Sequence, residues 1–251
     1  MVDFVGAGCG AADLITVRGM RLIQNADVII YAGSLVNPEL TEFAKDSCEI
    51  CNSAHMTLDE VIEVMEKAEA AGKNTVRLHT GDPSLYGAIR EQTDRLDKLG
   101  IEYKICPGVS SFCGAAAALK AEYTLPEISQ SVIITRMAGR TPVPEKESIE
   151  SLAAHGASMV IFLSAGMTSE VSERLQKGGY SAETPAALVY KATWEDEKIC
   201  RCTVGTLAET AESNGINKTA LIVVGDFLGE NRFLSKLYDP NFETGYRKAK
   251  K

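Results

Sequence analysis

Thr80-Gly81-Asp82-Pro83-Ser84 is the stretch whose residue types are best suited to chemistry. It follows Val76-Arg77-Leu78-His79, which has the apolar, β-favouring character of a strand. Gly81 has no Cβ, so the backbone there can come close to a ligand. Pro83 fixes its own φ and pushes Asp82 towards an extended conformation, so the carboxylate projects from the strand end. Ser84 has the type of an N-cap for a helix from Leu85 to Leu99. In open α/β sheets, ligands bind outside the carboxyl ends of the strands, and this loop is such an end. Residue types alone leave the alternative of an ordinary βα turn open.

A second glycine-rich loop, Gly6-Ala7-Gly8-Cys9-Gly10-Ala11, follows the strand Val2 to Val5. Gly6, Gly8 and Ala11 satisfy the dinucleotide fingerprint formally. That fingerprint also asks for a carboxylate at the end of the second strand, to hold the ribose. The second strand ends in Tyr31-Ala32-Gly33-Ser34, which offers none, so a nicotinamide cofactor is not expected and a loop lining a cleft is. The seven cysteines are odd in number and no signal peptide is visible, which reads as reduced thiols in the cytoplasm. Cys48 and Cys51 have zinc or redox spacing but no second pair with it, and Cys200 and Cys202 have no convergent histidine nearby, so no structural metal is expected.

The formal net charge of −8 argues against a general nucleic-acid binder, which needs a basic footprint. Apolar runs such as Met159 to Leu163 are too short to span a bilayer, so no membrane partner is expected.

The elements that position these loops alternate. Strands at 2–5, 28–31, 49–51, 76–79 and 102–106 are separated by helices near 14–24, 38–45, 57–71, 85–99 and 112–121. Thr57-Leu58-Asp59-Glu60 fits a capping box. Five alternations argue for a parallel sheet. Pro126 breaks the pattern, and the expected domains are 1–122 and 123–251, both α/β. In the second, strands 185–190 and 198–203 flank a connection too short for a parallel crossover, so this sheet is mixed and contains an antiparallel hairpin.

Four stretches together resemble the tetrapyrrole (corrin/porphyrin) methylases. Val5 to Gly10 with Asp13-Leu14-Ile15-Thr16 is similar to their opening loop, with Cys9 where the family usually carries proline. Gly81 to Gly87 is similar to their central motif, and Pro107-Gly108-Val109-Ser110-Ser111 to their third. Tyr190 to Trp194 and Thr219 to Gly225 are similar to stretches of their second domain. The likeness spans about residues 2 to 228, and Tyr31 to Val36 and Gly139 to Glu145 point to a member that methylates a corrin precursor.

The resemblance implies two α/β domains with S-adenosylmethionine held between them, commonly in a homodimer, and a reduced tetrapyrrole as substrate. It implies cofactor contacts at Cys9, Thr80, Gly81, Asp82, Leu85, Ser110 and Ser111, and from the second domain at Leu163, Tyr190, Ala192, Thr219 and Ala220. Methyl transfer from a sulfonium asks little of acid–base groups, so Asp82 is the catalytic candidate as an orienting residue rather than a strong base. The implied substrate carries carboxylates, which forked guanidinium donors bind well. Arg136, Arg140 and Lys191 are the candidates to meet them, and Trp194 to stack on the macrocycle edge or cap the hairpin. Methylation of another ring position, or of uroporphyrinogen, and a corrinoid-binding protein without chemistry are the alternatives.

Overall fold

Short apolar strands of the N-terminal part pair side by side in the computed structural model, which describes residues 1–230 and 235–249. They are β1 (Val2–Gly6), β2 (Val28–Tyr31), β3 (Glu49–Asn52), β4 (Thr75–His79) and β5 (Tyr103–Cys106), in the order β3-β2-β4-β1-β5. All the pairings are parallel. The helices between them are α1 (Val17–Asn25), α2 (Glu39–Glu42), α3 (Leu58–Ala70), α4 (Arg90–Leu99) and α5 (Ser111–Leu119). Successive side chains of a strand point to opposite faces. Val5, Ile29, Val76 and Leu78 therefore pack with Ile23 of α1 and Leu40 of α2. Val2, Phe4, Val28 and Ile30 pack with Ile62 and Met65 of α3 and Leu96 of α4. Covering both faces is what an all-parallel sheet requires.

The capping box forms as its spacing predicts. Thr57 Oγ1 accepts from Glu60 N at 3.3 Å, and the Glu60 carboxylate accepts from Thr57 N at 2.6 Å. Two helix expectations are corrected. The segment after Pro38 is helical only over Glu39–Glu42. The helix expected from Leu85 begins at Arg90, and Ser84 does not cap it. Asp82 Oδ1 instead captures Ser84 N at 2.8 Å and also accepts from Ser84 Oγ, an i to i+2 turn that competes with helix. The chain then coils tightly, with Tyr86 and Ala88 at φ of 56° and 49°.

The second series builds β6 (Val132–Arg136), α6 (Ile149–Ala153), β7 (Ser158–Phe162), α7 (Thr168–Lys177), β8 (Pro185–Tyr190), β9 (Lys198–Thr203), α8 (Leu207–Ser213) and β10 (Ala220–Val224). The strand order is β6-β7-β10-β8-β9, with β6 and β7 parallel and the other pairs antiparallel. The β8–β9 pair is the antiparallel hairpin that its short connection requires. Met159, Ile161, Leu188 and Ile222 of the sheet pack with Ile149, Val171, Leu175 and Leu207 of the helices.

By packing, the chain divides into two units. One comprises Met1–Ala115 and Lys191–Glu197, the other Ala116–Tyr190 and Lys198–Lys251. Among the described residues no helix is long and apolar enough to cross a membrane.

Candidate active site

Because β4, β1 and β5 are adjacent, three loops leave the first sheet at the same carboxyl edge. They pack backbone to backbone. Gly8 N donates to Gly81 O at 3.3 Å, and Gly81 N to Gly8 O at 2.9 Å. A Cβ on Gly108 would lie 2.2 Å from Gly81 O and 2.7 Å from Gly6 Cα. Only glycine permits that approach. The result is a floor of backbone flanked by Thr80, Leu85 and Ser111, all half-buried, and by buried Ser110.

Asp82 ties two of these loops together. Its Oδ2 accepts from Gly108 N at 2.8 Å while its Oδ1 holds Ser84. Partial burial disfavours its charge, but the bonds from Ser84 Oγ, Gly108 N and Ser84 N outweigh this and hold the carboxyl below its usual range. Both oxygens are thus engaged in the fold of the loop, as suits an orienting carboxylate rather than a proton acceptor.

Behind the loop, β4 carries two buried polar side chains. Arg77, 7% exposed, donates from Nε to Gln92 Oε1 at 3.0 Å and from Nη1 to Ile30 O at 3.1 Å. Burial lowers its pKa to about 10, so it stays charged at neutral pH. His79, 4% exposed, stacks on Phe4 with ring centroids 5.9 Å apart. Burial first, and the charge of Arg77 second, push its pKa down to about 3.

The Lys191–Glu197 segment, which joins β8 to β9 in sequence, packs with the first unit. Thr193 Oγ1 accepts from Ala11 N at 3.0 Å and donates to Cys9 Sγ at 3.6 Å. Its own N donates to Glu197 Oε2 at 2.6 Å. A Cβ on Gly10 would fall 2.5 Å from Ala192 O and 2.4 Å from Trp194 Cδ1, so the glycine loop and this segment also meet backbone to backbone. Ala192 is buried in this junction. Lys191 Nζ pairs with Asp196 at 2.6 Å and lies 5.3 Å from the Trp194 ring centroid, within cation–π range. Lys191 and Thr193 sit at φ of 46° and 70°, left-handed values that are uncommon for residues other than glycine.

In the second unit the register brings four candidates to one edge of the sheet. Arg136 ends β6 opposite Phe162, Leu163 follows β7, and Ala220 opens β10 opposite Tyr190 at the end of β8. Leu163 is 65% exposed at φ 53°, and Thr219 lies at φ 56°. A bulky and a β-branched residue in the left-handed region are true outliers, and such strain clusters at ligand sites. Arg140 is exposed on the loop after β6.

Thr193, Glu197 and the contact between Gly6 and Gly108 escape a reading of the sequence. Thr193 lies 182 residues from its partner Ala11, and no local signal announces such a bond. The cysteines form no disulfide, and among the described residues no group of three or more His, Cys, Asp or Glu side chains is arranged to hold a metal ion.

Residues 1–208 match the family described as Tetrapyrrole (Corrin/Porphyrin) Methylases. A cobalt-precorrin-4 C(11)-methyltransferase of Methanocaldococcus jannaschii is 57% identical, the match covering 100% of this chain and 97% of that protein. A precorrin-4 C(11)-methyltransferase of a Sinorhizobium species is 44% identical over 98% of each chain. The X-ray structure of a cobalt precorrin-4 methyltransferase superposes with a TM-score of 0.89 at 46% identity, covering 90% of this chain and 95% of that one.

Proposed function

The chain belongs to the tetrapyrrole (corrin/porphyrin) methylases, and on that premise we propose that it transfers a methyl group from S-adenosylmethionine to carbon 11 of a precorrin-4 in cobalamin biosynthesis. The observation that carries this reading is the 57% identity, over the whole chain, to a cobalt-precorrin-4 C(11)-methyltransferase. The same identity favours the cobalt-containing substrate.

The residues present fit the cofactor. A floor built of Gly6, Gly81 and Gly108 backbone, with no room for a Cβ on Gly6 or Gly108, suits a folded nucleoside that needs close main-chain contacts. Thr80, Gly81, Asp82, Leu85, Ser110, Ser111, Cys9 and Ala192 would hold it from the first unit. Leu163, Tyr190, Thr219 and Ala220 are the candidates of the second. When bound, S-adenosylmethionine supplies a methyl group already activated by a positively charged sulfur.

What remains for the protein is binding and orientation, which can supply roughly 7–11 kcal/mol of a barrier when two reactants are held in attack geometry. Asp82 keeps the loops after β4 and β5 in one arrangement and remains ionised at neutral pH. Arg140, with Lys191 and Trp194, would meet the carboxylates and edge of the macrocycle. The resemblance also supports a homodimer, which light scattering on the purified chain tests; the mass of a single chain would remove it.

The test of function is incubation with methyl-labelled S-adenosylmethionine and, separately, cobalt-precorrin-4, precorrin-4 and uroporphyrinogen III, read by mass spectrometry. We expect one methyl gained on cobalt-precorrin-4. Transfer to uroporphyrinogen III alone, or binding of a corrinoid with no transfer at all, would overturn the reading.

A further inference from the structure

Arg136 and Arg140 look equivalent as residue types, yet they occupy different environments. The guanidinium of Arg136 is turned onto its own loop. Nη1 donates to Met137 O at 3.3 Å and Thr141 O at 3.1 Å, and Nη2 donates to Pro142 O at 2.7 Å. A carbonyl accepting from a guanidinium makes a charge-assisted bond, stronger than one between neutral groups. The base of the loop is pinned as well, since Met137 N donates to Ser164 Oγ at 3.0 Å, and Ser164 Oγ donates to Phe162 O at 2.7 Å. Within the loop, Gly139 N donates to Thr141 O at 3.2 Å. Pro142 and Pro144 stiffen the rest by fixing φ.

Arg140 lies between these fixed points. It is exposed, and its side chain has no hydrogen bond or ion pair with any described residue. A flexible loop would lose conformational freedom on pairing Arg140 with a ligand, whereas a loop already held loses little.

We propose that Arg136 is a positioning residue rather than a substrate ligand, a guanidinium clamp on the carbonyls of Met137, Thr141 and Pro142 that presents Arg140 to a carboxylate of the tetrapyrrole. This deepens the proposed function and rests on its assignment of Arg140 to the substrate. Two properties follow. Arg136 acts only through Arg140, so removing both costs no more than removing Arg140. Lysine is a poor replacement, because its three donors radiate from one nitrogen, whereas the guanidinium reaches these carbonyls from two nitrogens fixed in one plane.

The experiment measures KM for cobalt-precorrin-4 and, by titration, Kd for S-adenosylmethionine in Arg136→Ala, Arg140→Ala, the double variant and Arg136→Lys. We expect Arg140→Ala to raise the tetrapyrrole KM about ten- to a hundredfold, the loss of one charge-assisted contact. Arg136→Ala should reproduce most of that, Arg136→Lys should recover little of it, and the double variant should lie within about twofold of Arg140→Ala, since residues acting as a unit are not additive. Kd for S-adenosylmethionine should stay unchanged in all four. If Arg136→Ala does not fold, Arg136→Gln provides the same comparison.

Multiplying effects in the double variant would make Arg136 an independent ligand and overturn the proposal. So would an unchanged KM in Arg136→Ala with a raised one in Arg140→Ala, or a cofactor affinity that falls with the tetrapyrrole's. An unchanged KM in Arg140→Ala would instead remove Arg140 from the substrate site, and the clamp's role with it, while methyl transfer itself stood.

Discussion

Asp82 and His79 lie a few residues apart at the end of β4 and carry different pH dependences. For Asp82 the hydrogen bonds from Ser84 and Gly108 outweigh burial and hold the folded pKa below the ordinary value of about 3.9. Below that value the unfolded chain binds more protons, so the stabilisation is complete above about pH 4 and is lost as pH falls through the folded pKa. For His79, burial and Arg77 depress the folded pKa to about 3, below the unfolded value of about 6.5. Here too the unfolded chain binds the extra proton, but from a higher pH. Its penalty is absent above about pH 6.5 and grows as pH falls towards 3. We expect His79→Phe, which keeps a ring against Phe4, to flatten the decline of melting temperature between about pH 6.5 and 4. An unchanged slope in thermal melts would remove His79 as its source. Asp82→Asn should leave that window alone and reduce the pH dependence only below about 4. At neutral pH it should weaken S-adenosylmethionine binding about tenfold or more, since one of two acceptors becomes a donor. A titration showing native affinity would mean that the tie to Gly108 does not shape the cofactor loop.

Among the elements, the three loops on the carboxyl edge of the first sheet behave as one device because their backbones touch. Gly108→Ala would push a methyl to 2.2 Å from Gly81 O, and a main-chain neighbour cannot yield as a flexible side chain could. We expect a loss of at least about 1–3 kcal/mol in denaturant melts, as for overpacked cores, together with loss of cofactor binding. Native behaviour on both counts would show that the loops can part. Much of this architecture was legible beforehand. Alternation of apolar strands with amphipathic helices announced the parallel sheet, Thr57 and Glu60 announced α3, and the short Lys191–Glu197 connection announced the β8–β9 hairpin. The start of α4 was not legible, because Asp82 takes Ser84 N for a turn and residue types alone favoured a cap. The placement of β10 between β7 and β8 was also illegible, since strand order depends on long-range packing and Ala220–Val224 would suit any central position. At the site, the glycine and serine loops stood out by type. The different environments of Arg136 and Arg140 did not, because only the folded loop decides which guanidinium turns inward.

At the scale of the whole molecule, the first unit is discontinuous in sequence: Met1–Ala115 are joined in space by Lys191–Glu197. Replacing that segment by glycine and serine of equal length, with glycine at position 193, would remove the hydroxyl that accepts from Ala11 N and the Trp194 ring that lies against Gly10. The β8–β9 ladder pairs Pro185–Tyr190 with Lys198–Thr203 and does not need those side chains. We expect unchanged far-ultraviolet circular dichroism but at least about a tenfold loss of S-adenosylmethionine affinity, the worth of about one hydrogen bond. Undiminished affinity would show that the glycine loop holds its shape unaided. The same discontinuity sets a schedule when the chain is made. Ala11 leaves the ribosome 182 residues ahead of Thr193, roughly 10–40 s at ordinary elongation rates. Once Cys106, the end of β5, has emerged, the nascent first unit has all five strands of its sheet but still lacks the last partner of its glycine loop. At the proposed cofactor site, binding by a growing chain would therefore be a late event, one that reports translation past the hairpin.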